Sequence, residues 1–132
     1  LVVGWAFVAV VTGTVVTATG PHAGAPDVVR FGFRLVSVAR VHSVSVLVTV
    51  VLLVVTMMKL RNASGVCAAS TRQALATMAF VAVIQGSIGY LQYFTGVPVV
   101  LVGLHVAGAT ALWLSVCNLL FAPRPDEVVP LT

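Results

Sequence analysis

The sequence predicts an all-α integral membrane protein, a bundle of four helices that cross the bilayer. Three observations carry that expectation. The 132 residues are 60% hydrophobic and only 8% charged, and the mean hydropathy is +1.14. So few charges cannot cover the surface of a water-soluble domain of this length, so that surface must meet something other than water. The apolar residues fall in four long stretches, and the breaks between them are rich in turn formers.

The stretches are Leu1–Thr17, about Leu35–Met58, about Gln73–Tyr93 and about Val97–Phe121. A helix needs about 20 residues to cross the hydrocarbon core, and the last three meet that length. Their many valines favour strands in water. In lipid an open sheet edge is forbidden, and long runs without alternation read as helices. Gly20-Pro21-His22-Ala23-Gly24-Ala25-Pro26-Asp27 forms the first break, and Lys59 to Arg72 the second, a polar connector. Thr95-Gly96-Val97-Pro98 forms a tight third turn. Pro123-Arg124-Pro125-Asp126-Glu127 ends the last helix and starts a short tail. The chain opens at Leu1 in apolar sequence, with no charged leader and no small-residue cleavage site. It is therefore expected to be one domain, residues 1–132, that is a fragment or half of a longer protein.

Charge narrows the classes. The net charge of +4 arises from seven Lys/Arg against three acids. These are too few and too scattered for a nucleic-acid stripe. Four spans put Lys59, Arg61, Arg72 and Arg124 on one side and Arg30, Arg34 and Arg40 on the other, which leans toward the first side being cytoplasmic. All three acids, Asp27, Asp126 and Glu127, lie outside the spans, so neither a carboxylate relay nor a paired-carboxylate site is expected within them. Cys67 and Cys117 are too isolated to form a disulfide framework and read as reduced thiols.

Histidine is the remaining chemistry. His42 lies in the second span and His105 in the fourth, and ionisable rings inside a membrane point to function. Lys59 follows His42 by 17 positions, and Phe121 follows His105 by 16. At 1.5 Å per residue both rings sit roughly 25 Å from the same membrane face. The two spans run in the same direction, so the imidazoles can lie level across the bundle. Two level histidines on facing helices suit axial ligation of a haem iron. The plain alternative for each is a ring hydrogen-bonded to a neighbouring helix. Zinc would need four ligands, and Met57, Met58 and Cys117 are too near the other face to serve copper.

Two further residues join the candidate site. Gln85, in the third span, reaches the histidine level and could orient an axial imidazole; an interhelical hydrogen bond would explain it equally. Gln92 shares its helical face, while Tyr90 and Tyr93 read as interfacial anchors. Arg34 precedes His42 by eight residues, roughly 80° away around the helix, and is the better-placed arginine for a haem propionate. Arg40 points away, and snorkelling to headgroups would account for either arginine.

The run Thr12-Gly13-Thr14-Val15-Val16-Thr17-Ala18-Thr19-Gly20-Pro21-His22-Ala23-Gly24, then Arg40-Val41-His42, the run from Gln85 to Pro98, and Leu104-His105 resemble the haem A synthase family in order and spacing across nearly the whole chain. That resemblance implies the C-terminal four-helix half of an eight-helix, pseudo-symmetric protein of the bacterial plasma membrane. It implies an oxidoreductase that converts a methyl of haem O to the formyl of haem A for cytochrome oxidase. It implies haem b as cofactor, held between His42 and His105, with the first loop facing outward. Haem O is the implied substrate, with haem O synthase or the proteins that assemble cytochrome oxidase as implied partners alongside the lipid bilayer. The family's substrate-haem site belongs to its other half, so this half is expected to be inactive alone. Family members often carry outward cysteines; Cys67 and Cys117 lie on or near the inner face, and no redox role is carried over to them. The alternative is a stand-alone b-type cytochrome that carries electrons.

Overall fold

The computed structural model describes residues 1–24 and 27–122. It is an all-α bundle of α1 (Val2–Thr19), α2 (Leu35–Leu60), α3 (Val66–Phe94) and α4 (Val99–Leu120), with no strand among the described residues. All four helices are long and apolar enough to cross a membrane, which makes the chain a multi-pass membrane protein. The tail from Pro123 lies outside the described residues. The helices pair chiefly as two hairpins, α1 with α2 and α3 with α4.

The second connector is shorter than the sequence predicts. α3 begins at Val66 rather than near Gln73, so only Arg61 to Gly65 separate it from α2. The Arg72 guanidinium folds back to donate to the carbonyls of Leu60 and Ala63. Leu60 is the last residue of α2, and its carbonyl also accepts from the Ala63 amide, so Arg72 ties the connector itself to the start of α3. Residues 66–72 are thus about the first two turns of α3, not a loop.

The interior is divided. Val2, Ala6, Leu53, Leu75, Met78 and Val116 form a closed apolar cluster at one end, with Leu75, Met78 and Val116 fully buried. Leu52, Met57 and Trp113 close around it. Toward the other end most buried positions are polar, at Ser45, Thr49 and Gln85, with Ala9 among them; Ser115 is the buried polar residue of the apolar end. The outward faces carry Leu47, Val51, Phe80, Val83 and Leu114, each more than half exposed. Such faces suit acyl chains, and association between helices then depends on close packing and polar contacts, not on exclusion of water.

The polar end is tied by its loops. His22 Nε2 donates to the carbonyl of Val97 at 2.9 Å, joining the first loop to the α3–α4 turn. Arg30 donates to Pro21 O, and the Phe31 amide to Ala18 O, so the return to α2 is held against the end of α1. Gly96 and Val97 both adopt left-handed backbone, with φ of 81° and 60°.

Candidate functional site

His42 and His105 meet inside the bundle. Their ring centroids are 6.4 Å apart and their planes cross at 84°. Both are partly buried. Each occupies the same level because His42 lies seven residues into α2 and His105 six into α4. About 10 Å of helix therefore separates either ring from the loop-tied end.

Glycine on the neighbouring helix makes room for each ring. A Cβ on Gly13 of α1 would stand 3.1 Å from His42 Cε1, and a Cβ on Gly89 of α3 would stand 3.1 Å from His105 Cε1. The partners are related in sequence too. Ala9 precedes Gly13 by one helical turn, and Gln85 precedes Gly89 by the same four residues. His42 Nδ1 donates to the Ala9 carbonyl at 3.0 Å. A carbonyl can only accept, so Nδ1 carries the proton and Nε2 is the nitrogen left for a metal. Gln85 takes the place in α3 that Ala9 takes in α1, one turn before the glycine. There, however, no acceptor meets hydrogen-bond geometry, and His105 Nδ1 is buried without a partner. The two hairpins thus present their histidines in nearly the same way.

Hydroxyls complete the His42 side. Thr12 Oγ1 lies 3.2 Å from His42 Nδ1 and 2.9 Å from Ser45 Oγ, and the Ser45 hydroxyl donates to His42 O at 2.7 Å. Between the hairpins, the Ser43 and Tyr90 hydroxyls meet at 2.9 Å. Tyr90 is therefore a tie between α2 and α3 beside the histidines as well as a residue near a helix end.

The other expected site residues fall out differently. Gln85 is buried, as a residue near the histidines should be, but its side chain makes no bond to His105. Its amide lies against Gly108 of α4, where any Cβ would overlap it. Gln92 is half-buried with an unpaired buried Oε1. Arg34 is exposed at the N-cap of α2. Arg40 lines an apolar groove of about 370 Å³ with Trp5, Val8, Val41 and Val44. Cys67 and Cys117 are both free.

The histidine pair fits a haem iron. A metal–imidazole bond is about 2 Å and a ring centre lies roughly 1 Å behind its nitrogen, so two imidazoles on opposite sides of one iron are about 6 Å apart. The observed centroid separation of 6.4 Å matches that. The unpaired Nδ1 of His105 and Oε1 of Gln92 add polar atoms that the protein itself leaves unsatisfied. Among the described residues no group of three or more His, Cys, Asp or Glu gathers here, so zinc would lack its usual four ligands.

Gly13, Gly89 and Thr12 flank the two rings in a way that the residue types alone do not reveal. The four-residue spacing from Ala9 to Gly13 and from Gln85 to Gly89, level with two histidines, is the signal that points to them. No protein-family model, curated protein or solved structure matches the chain.

Proposed function

We propose that the chain is a haem-b-binding membrane domain whose iron is held by His42 and His105, and that it serves as the C-terminal half of a haem A synthase. The single observation that carries the haem reading is the 6.4 Å separation of the two imidazoles. The resemblance in the runs from Thr12 to Gly24 and from Gln85 to Pro98 supports the family.

Bound there, the haem would supply one-electron transfer within the bilayer. The protein's share is to aim the ligands and exclude water. Ala9 O fixes the His42 tautomer, the two glycines let each ring lie flush with the adjacent helix, and the apolar cluster from Val2 to Val116 seals one end. Oxidation of the haem O methyl to a formyl, which the resemblance implies, would draw on residues of the other half.

A second reading is favoured by the acids. No Asp or Glu lies within the four helices, so none of them supplies a carboxylate to move protons for an oxidation. That composition equally suits a b-type cytochrome that carries electrons on its own. The sequence encoded upstream separates the two: four more spans bearing histidines and a carboxylate support the synthase, and a start codon directly before Leu1 defeats it.

The haem reading is tested on the chain purified in detergent, by its reduced-minus-oxidised spectrum. A low-spin b-type signal is expected, and it should vanish in both His42→Ala and His105→Ala. A low-spin signal that survives either substitution would sink the ligand assignment. Salt should leave it intact, because axial ligation is not a screened surface contact.

A further inference from the structure

The two hairpins repeat the same device, but one copy lacks its polar support. On the α1–α2 side, His42 Nδ1 has the Ala9 carbonyl at 3.0 Å and the Thr12 hydroxyl at 3.2 Å, with Ser45 holding Thr12. The corresponding positions on the α3–α4 side are apolar or empty of side chain. Ile88 precedes Gly89 as Thr12 precedes Gly13, and Gly108 follows His105 as Ser45 follows His42. Gly108 cannot take a side chain, because the Gln85 amide fills the space. His105 Nδ1 is accordingly buried with no partner. Both buried unpaired polar atoms among the described residues, His105 Nδ1 and Gln92 Oε1, belong to this hairpin.

An acceptor at the far nitrogen of a ligating histidine fixes the ring and raises its basicity, and losing that acceptor typically weakens metal binding about 10- to 100-fold. Resting on the bis-histidine reading, we infer that the two histidines are unequal ligands, with His42 the fixed one and His105 the exchangeable one. The His105 side of the iron is then a binding position for a small external ligand, such as carbon monoxide on the ferrous haem or imidazole on the ferric. The exchange breaks one iron–nitrogen bond and forms one bond to the incoming ligand, with no change of oxidation state. The freed imidazole can stay in the space that Gly89 leaves beside the ring. The inequality is written in two sequence positions, Ile88 and Gly108, and not in the histidines themselves.

The test uses the whole chain, loaded with haem in detergent. His105→Gly should keep its haem, turn high-spin, and return to low spin on addition of imidazole. His42→Gly should bind haem about 10- to 100-fold more weakly than His105→Gly. In the dithionite-reduced protein, Ile88→Thr, which gives His105 the hydroxyl that His42 already has, should slow carbon monoxide uptake about 10-fold. Thr12→Val should narrow the difference between the two sides by weakening His42. Equal haem loss in the two glycine variants, greater loss in His105→Gly, or carbon monoxide uptake unchanged by Ile88→Thr would each overturn the inequality while leaving the bis-histidine centre standing. A wild-type chain that takes up no haem would overturn the cofactor reading and this inference with it.

Discussion

Gly13 lies so close to His42 that a methyl group added to it would stand 3.1 Å from the ring's Cε1. That distance is shorter than an ordinary carbon–carbon contact of about 3.5–4.0 Å. Gly89 and His105 repeat the relation at the same distance. Gly13→Ala and Gly89→Ala should therefore displace the imidazole and not merely tighten helix packing. Overpacking of this kind costs about 1–3 kcal/mol. Each variant should show a lowered unfolding midpoint in detergent and a shifted low-spin spectrum. Gly4→Ala is the control, since a Cβ there meets nothing within 4 Å; a Gly13→Ala protein as stable as Gly4→Ala would remove the role of the close contact.

The packing of Gln85 on Gly108 predicts strong coupling between the two positions. A Cβ at Gly108 would overlap the Gln85 amide, and Gln85 is only 7% exposed. Gly108→Ala should destabilise the bundle by about 1–3 kcal/mol as the amide is forced aside. Gln85→Ala vacates that space, so Gly108→Ala in its background should cost far less. A double-mutant cycle of thermal unfolding measures the difference, and contacting residues commonly couple by about 0.5–3 kcal/mol. Strict additivity would show that the amide does not occupy that space.

The four spans and the level of the histidines could be read from the sequence because both depend on counting along a helix. Apolar length gives the spans, and the rise per residue gives the depth of His42 and His105. Where the second hairpin begins could not be read the same way. Residues 66–72 are polar enough to look like a loop, and only the return of Arg72 to the carbonyls of Leu60 and Ala63 makes a helix end there favourable. The supports of the rings were hidden for a related reason. Thr12, Gly13 and Gly89 act across helix interfaces, and the azimuth of one helix against another is set by packing that no single stretch encodes. Gln85 shows the limit of reasoning from residue type: its side chain suggests an imidazole partner, whereas the amide packs on Gly108.

Arg72 should be important to stability although it is remote from the histidines. Hydrogen bonds from a charged donor contribute about 1.5–3 kcal/mol, and here they hold the α2–α3 connector against the start of α3. Arg72→Met keeps the apolar stem and removes the donors. The expected result is a lower unfolding midpoint with an unchanged haem spectrum, read on the same sample. A lost spectrum at retained stability would contradict a purely structural role.

The Ser43–Tyr90 tie should prove weaker than its position suggests. The two hydroxyls meet at 2.9 Å between α2 and α3, and interhelical hydrogen bonds in membranes average about 0.6 kcal/mol. Tyr90→Phe keeps the ring stacked on Phe94, whose centroid is 6.3 Å away. It should lower the unfolding midpoint only slightly. A loss comparable to that in Arg72→Met would mean that the hydroxyl holds the two hairpins in register.

Val97 offers the opposite sign of effect. It is a β-branched residue with φ of 60° in the turn between α3 and α4, and left-handed backbone at a non-glycine position stores about 1–3 kcal/mol. Glycine relieves that strain but gives up about 0.5–1 kcal/mol through a freer unfolded chain. Val97→Gly should therefore raise the unfolding midpoint, with a net gain of about 1 kcal/mol. The contact from His22 ends on the Val97 carbonyl and not on its side chain, so the substitution leaves the loop tie in place. His22→Ala should remove it at a cost of about 0.5–1.5 kcal/mol. The double variant should fall near the sum of the two, because one change acts on backbone conformation and the other removes a donor whose acceptor, the Val97 carbonyl, is kept in both single variants. A fall in the midpoint of Val97→Gly alone would show that the valine side chain contributes more to the turn than its strained backbone takes away.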